Sequence, residues 1–302
     1  MWWIRVLDWG KTVYPNKAIT SRKYSLHWVL RQLPVAIMIA WCLLAFLGPL
    51  LPLQPNEVAL DKILLPPGEG SLLGYDDLGR PIFDRVVLGA KTSFLVAIGV
   101  ILFSVIIGVS LGIASGYYGG WFDQLIVQII DIFLAFPGIL LAIALAGIMG
   151  PGIENIVIAL SIVGWVGYAR LARAQVLSVK QREHIQAAMA LGTQSLTIFH
   201  KHILPLILAP IIIEASFGIA SIVIAEAGLS FLGLGVQPPE ASWGSMIRDG
   251  ARYLLVAPHM VLVPGFALML VVLAVNLLGD RVRDYFDVRL RVTVAGNSVV
   301  GS

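Results

Sequence analysis

The sequence predicts an all-helical membrane protein with about six transmembrane helices. Three observations carry that expectation. Of its 302 residues, 58% are hydrophobic and 13% charged, with a mean hydropathy of +0.87; a soluble domain usually carries about 25% charge. The apolar residues gather in runs long enough to cross ~30 Å of hydrocarbon as a helix, which takes about 20 residues. Basic residues form blocks between those runs, on the sides the positive-inside rule asks for. The net charge of +3 is therefore a topology signal, and no nucleic-acid partner is expected. A single cysteine, Cys42, excludes an intrachain disulfide.

Residues 1–32 carry Arg5, Lys11, Lys17, Arg22, Lys23 and Arg31 against Asp8, with Trp2, Trp3, Trp9 and Trp28 suited to a membrane surface. This end is expected in the cytoplasm, and the absence of a small-residue cleavage site argues that the first span is retained. Residues 33–53 form that span, with Pro34 in its first turn. Residues 54–85 are rich in acids (Glu57, Asp61, Glu69, Asp76, Asp77, Asp84) and suit the outer face. There Pro66-Pro67-Gly68 breaks regular structure, and Pro81 starts an amphipathic helix expected to lie along the outer surface, with Ile82, Phe83, Val86 and Ala90 on one face.

Residues 92–115 are the second span. Ser104, Gly108, Gly112, Gly116 and Gly120 repeat every four residues, so Gly108, Gly112 and Gly116 read as a packing face where another helix comes close. Gly108-Val109-Ser110-Leu111-Gly112 has the form of a hydrolase nucleophile elbow, but that elbow needs a strand-to-helix turn and this serine is mid-span. Residues 125–149 return across the membrane, kinked at Pro137, and Gly150-Pro151-Gly152 ends them outside. Residues 156–169 are a short fourth span, followed by Arg170, Arg173, Lys180, Arg182 and Lys201 with Glu183 opposing them. Residues 206–227 are the fifth span. Residues 229–258 form a second outer segment with a Pro238-Pro239 break and a short helix over 243–253. Residues 260–278 are the sixth span, before a basic tail with Arg281, Arg283, Arg289 and Arg291.

The fourth and fifth spans are joined by a soluble island, Gln186-Ala187-Ala188-Met189-Ala190-Leu191-Gly192, followed after nine residues by His202-Ile203-Leu204-Pro205. Residues 180–191 favour helix, Gly192 can end it in the left-handed conformation, and residues 195–202 can start another. Ile185, Met189, Gly192, Leu196, Phe199 and Ile203 recur at spacings of four and three, which predicts one apolar side. Such a loop either lies at the membrane interface or docks on another chain.

Little in the sequence speaks for chemistry. Gly89-Ala90-Lys91-Thr92 lacks the upstream glycine of a Walker A loop. The histidines His27, His184, His200, His202 and His259 form no metal-ligand spacing. Asp131, Glu214 and Glu226 fall inside spans, where a charge costs roughly 2.5–3.5 kcal/mol and must face protein or water. Glu226, near the outer end of the fifth span, reads equally as lining the outer mouth of a translocation path or as a hydrogen-bond anchor. Asp131 is a second pathway candidate, with a structural role favoured.

The 186–205 loop resembles the cytoplasmic loop of binding-protein-dependent ABC importer permeases, whose consensus is Glu-Ala-Ala, three residues, Gly, nine residues, then Ile, any residue, Leu-Pro. Gln186 stands for the Glu and His202 for the Ile. Leu73-Gly74-Tyr75-Asp76-Asp77-Leu78-Gly79-Arg80 through Gly89-Ala90-Lys91-Thr92-Ser93 resembles a signature of the dipeptide, oligopeptide and nickel members, from which Tyr75 and Pro81 depart. The run from Leu229 to Pro239 with Trp243-Gly244 is similar to the same group. So is Asn276-Leu277-Leu278-Gly279-Asp280 with Arg283, Asp284 and Asp287, although Val288 stands where the family has proline.

The resemblance, of the second-permease type, implies a type I importer permease fold. It implies that Gln186, Ala187, Ala188, Gly192, Leu204 and Pro205 belong to a coupling helix seated in a groove of an ATPase subunit. The implied partners are a second homologous permease, two P-loop ATPase subunits, an extracytoplasmic substrate-binding protein and membrane lipid. No cofactor is expected on this chain, which is not itself an enzyme; ATP and Mg belong to the ATPases. The chain would sit in the bacterial inner membrane with both termini cytoplasmic. It would divide into residues 1–85, a five-helix core over 86–290 containing the coupling loop 180–205, and a tail over 291–302. The implied substrate is a di- or oligopeptide, or alternatively nickel or another small solute. An ATP-independent channel or secondary transporter is the alternative from another class; it would show charged rings or broken helices in repeated halves.

Overall fold

A computed structural model describes the backbone of residues 17–299 and the side chains of residues 32–286. The basic clusters on which the expected side of each terminus rests, apart from Arg281 and Arg283, lie outside the described side chains. Helix α1 spans Lys17–Leu47 and runs through Pro34 without ending. Its apolar part continues into a 3-10 turn at Gly48–Leu50.

The first outer segment is a packed turn that leads into the next helix. One oxygen of the buried Asp76 carboxylate accepts the backbone N–H groups of Leu78 and Arg80, both at 2.9 Å. The other takes Arg80 Nε at 2.7 Å, with Arg85 Nε 3.4 Å away. At Gly79, φ is +71° and a Cβ would lie 1.8 Å from the Ala59 carbonyl oxygen, so glycine alone fits. Burial and the neighbouring Asp76 carboxylate push the Asp77 acid above the ordinary carboxylate range.

Helix α2 spans Ile82–Tyr118 without interruption. The separate surface helix expected after Pro81 does not exist, because nothing around Ala90–Thr92 breaks the hydrogen-bond ladder. At 1.5 Å per residue α2 is about 55 Å long, so it rises well clear of ~30 Å of hydrocarbon. Two indoles brace this region, with Trp41 Nε1 donating to the Ala90 carbonyl and Trp243 Nε1 to that of Val86, both at 3.1 Å.

Helix α3 (Gly120–Leu134) and helix α4 (Gly138–Met149) meet at 87° rather than at a kink. Pro137 has no N–H to continue α3 and its ring opposes the preceding turn. Helix α5 spans Ile153–Val179, well beyond the expected fourth span. The arginines that marked its end are tolerated because Arg173 is neutralised: its Nε and Nη2 donate to Asp123 at 2.6 and 2.8 Å. Ser115 Oγ also donates to Asp123, at 2.5 Å, so α2, α3 and α5 are tied together at one end.

The α2–α5 seam organises the core. A Cβ on Gly108 would lie 2.4 Å from the Trp165 carbonyl oxygen, on Gly112 2.4 Å from that of Ala169, and on Gly116 3.0 Å from that of Arg173. Each step of four on α2 is thus matched by a step of four on α5, in the same direction. The two helices are parallel, so α3 and α4 together must carry the chain back across the membrane as one broken span. Gly120, the last of the four-residue series, lies outside the seam as the first residue of α3, at φ +62° with open space at its Cβ.

Beyond α5 come α6 (Glu183–Ala190), α7 (Ser195–Ile198), a π-helical turn over Phe199–Ile203, and α8 (Leu204–Phe231). The loop's second helix and the fifth span form one rod over Ser195–Phe231. Helix α9 (Trp243–Ala251) starts with a capping box between Ser242 and Ser245. It packs so closely on α8 that a Cβ on Gly244 would lie 2.3 Å from the Ala227 carbonyl oxygen. Helix α10 spans His259–Val299. Among the described residues, five helices are long and apolar enough to cross a membrane, and the broken pair makes six.

Candidate functional site

The loop between α5 and α8 is clamped on one side and bare on the other. Ile185, Ile198 and Ile203 are fully buried with Ile207, Val176, Val179 and Tyr117. Phe199 meets the Tyr117 ring edge to face at 4.7 Å, and Lys180 Nζ donates to the Tyr117 carbonyl at 2.5 Å. On the opposite side Gln186, Ala187, Ala190 and Gly192 are exposed. So are Met189 at 38%, Leu196 at 66% and Leu191 at 85%.

The single apolar stripe expected from spacing is thus split between two faces. The split runs within each arm of the loop, with Ile185 buried and Met189 exposed on α6, and Leu196 exposed and Ile203 buried beyond the elbow at Gly192, whose φ is +73°. Thr193 N–H donates to the Ala188 carbonyl and Gly192 N–H to that of Met189, the paired bonds of a Schellman ending. The chain changes direction there. Ala188 is half-buried beneath the elbow.

Leu204 and Pro205 lie at the junction with α8. Pro205 cannot donate to the preceding turn, and the wide turn before it absorbs the mismatch, with Leu204 N–H reaching back to the Phe199 carbonyl. The rod continues through the proline instead of stopping at it. His184 and His202 approach across the elbow with ring centroids 6.3 Å apart. Among the described residues no group of three His, Cys, Asp or Glu side chains is placed to hold a metal ion.

The three in-span acids separate sharply. Glu226 is wholly buried, with its carboxylate oxygens accepting from Ser93 Oγ at 3.0 Å and Ser230 Oγ at 2.8 Å. In this conformation it faces no outer mouth; it anchors α8 to α2, and the outer-mouth expectation is corrected accordingly. Glu226→Ala is expected to leave two buried hydroxyls unpaired, at about 1–3 kcal/mol each. The check is a lowered thermal midpoint in detergent with transport per folded molecule preserved.

Asp131 stands apart. It is exposed on α3, and no ion pair or side-chain hydrogen bond reaches it among the described residues. Glu214 is also exposed, on α8 near Tyr168 of α5. The ties that sequence reading missed are Asp76 with Arg80 and Arg85, and Asp123 with Arg173. No local spacing links Asp123 to Arg173, which lie fifty residues apart.

Residues 108–292 match the family model described as "Binding-protein-dependent transport system inner membrane component". The chain belongs to this family. The permease is 43% identical over 256 residues to the dipeptide transport system permease protein DppC of Alkalihalophilus pseudofirmus, with 84% of each chain covered. It is 42% identical over 236 residues to the glutathione transport system permease protein GsiD of Pectobacterium atrosepticum, with 78% of each covered. Its fold is similar to that of a chain in inward-facing structures of the MetNI methionine ABC transporter, with a TM-score of 0.55 at 19% identity, covering 67% of this chain and 97% of that one. It is therefore a multi-pass membrane permease with the type I importer fold, and it serves an ABC importer as a transport subunit.

Proposed function

We propose that this permease forms half of the translocation pathway of an ATP-driven importer of di- or oligopeptides. It would take an ATPase subunit on the bare side of the 186–205 loop, with Gln186, Ala187, Ala188, Gly192, Leu204 and Pro205 as the coupling elements. The single observation that carries this reading is the rim formed by Met189, Leu191 and Leu196, apolar and uncovered on a loop otherwise fastened to the protein body. Exposed leucines at a membrane protein's polar end want a partner. Gln186 contributes an uncharged hydrogen-bonding group where the family motif has a carboxylate.

The partners are a second homologous permease, two P-loop ATPases holding ATP and Mg, and an extracytoplasmic binding protein that delivers substrate. The core over 86–290, with the loop at 180–205, would do the transport work, and both termini would lie in the cytoplasm of a bacterial inner membrane. The peptide assignment rests on the dipeptide and glutathione relatives. Leu196 stands on the Ser195–Phe231 rod itself, so motion received there passes directly into α8, which suits alternating access.

Leu191→Asp and Leu196→Asp test the docking. Each is expected to strip the ATPases from the purified complex while the second permease stays bound, since a charge placed in an apolar contact is left unpaired. Co-purification of ATPase at the native level in both variants would contradict the reading.

A further inference from the structure

Helix α3 carries a polar stripe that nothing in this chain covers. Gln124, Gln128 and Asp131 follow at spacings of four and three, so they share one face, and all three are exposed. The opposite face, with Ile126 and Ile130, is buried against Trp165, Val166 and Ala169. The stripe therefore points away from the bundle. It also stops at the break, since α4 (GILLAIALAGIM) has no charged or amide side chain.

Two observations give its depth. Phe133, two residues beyond Asp131, meets Trp165 edge to face at 5.8 Å. Gly164, beside Trp165, abuts Ser104, which lies midway along the apolar run at 92–115. Asp131 is also about 16 Å along α3 from Gly120 at 1.5 Å per residue. It thus falls midway along the spanning helices, with the glutamines toward the end that carries the 186–205 loop.

A bare carboxylate at that depth does not face lipid tails. Two amides aligned beneath it would likewise lose their hydrogen bonds in hydrocarbon. A polar line that runs from one end of the span to its middle suits water. We infer that Gln124, Gln128 and Asp131 line the cytoplasmic half of the translocation pathway, and that the Asp131 carboxylate receives the α-ammonium group of the passing peptide. This rests on the peptide-importer reading above. An ionised carboxylate only accepts hydrogen bonds, and an ammonium group brings three donors and the opposite charge. The glutamines then offer uncharged contacts below, so the peptide is handed on rather than held. A cation from the second permease is the competing occupant.

The test uses the complete transporter in proteoliposomes, with ATP and its binding protein, and alanyl-alanine as the probe. Asp131→Asn is expected to cut uptake at least tenfold in a fully assembled complex, and Asp131→Glu to restore most of it. In a Cys42→Ser background, Gln128→Cys is expected to react with a water-soluble cationic thiol reagent, more slowly when alanyl-alanine is present. Native uptake by Asp131→Asn would overturn the inference. If that variant does not assemble, the cysteine decides: a Gln128→Cys that stays unreactive, or that cross-links to the second permease, puts the stripe in a protein contact and overturns it too. A native complex that imports no peptide would instead sink the peptide reading, and the ammonium assignment with it.

Discussion

Gly192→Val is expected to insert and assemble normally, to keep hydrolysing ATP, and to lose ATP-driven uptake by tenfold or more. The φ of +73° at this residue costs a side-chain-bearing residue about 1–2 kcal/mol, and a β-branched one stands at the costly end. Space is not the obstacle, because a Cβ there would meet nothing within 4 Å. The strain falls on the backbone and on the two bonds that close α6, from Thr193 to Ala188 and from Gly192 to Met189. Ile185 and Ile198 keep both helices fastened to the body, so the bare rim is what shifts. Gly192→Asn, which tolerates the left-handed region, is expected to recover much of the loss. Uptake and ATP hydrolysis measured side by side in proteoliposomes provide the check. Full uptake with Gly192→Val would mean that the elbow does not transmit the stroke.

Gly108→Val is expected to have the largest effect on stability, with little folded protein accumulating in the membrane. Its Cβ would lie 2.4 Å from the Trp165 carbonyl oxygen and 2.7 Å from Tyr168 Cβ. Backbone cannot step aside without opening the seam, and forced overpacking costs about 1–3 kcal/mol even where side chains can adjust. Gly147→Ala is the matched control. Gly147 is also a helical glycine, in α4, but a Cβ there would meet nothing within 4 Å. It should be neutral or slightly stabilising, as alanine is about 1 kcal/mol better in a helix interior. Membrane abundance and the thermal midpoint in detergent distinguish the two. Equal values would refute close approach at Gly108.

Much of this fold was legible because a bilayer leaves few choices: an apolar run of sufficient length must be a helix. The glycine series was legible for a related reason, since regular spacing on a helix puts small residues on one face. Boundaries were less so. Charges at Arg170 and Arg173 were read as the end of the fourth span, yet α5 continues to Val179 because Asp123, fifty residues earlier, answers Arg173. Proline was misjudged twice. Pro137, read as a kink, breaks its span outright, while Pro34, read in a first turn, lies inside α1.

In the 186–205 loop, the motif residues and the elbow were legible, but the facing of side chains was not, since Ile185 and Met189, four apart on α6, differ in what packs against them. Glu226 and Asp131 show the same limit. Their depth could be counted along the chain, but their exposure depends on which neighbours arrive, and Ser93 reaches Glu226 from 133 residues away.

The close seam between α2 and α5 bears on how the machine can move at all. Carbonyls seated where side chains are missing leave no compressible layer, so the pair behaves as a chassis. Sliding it to the next matching position would mean a ratchet of about one helical turn, ~5.4 Å, past three glycines at once. The working stroke must therefore be borne by the parts bolted around it, and the two helices travel as one piece.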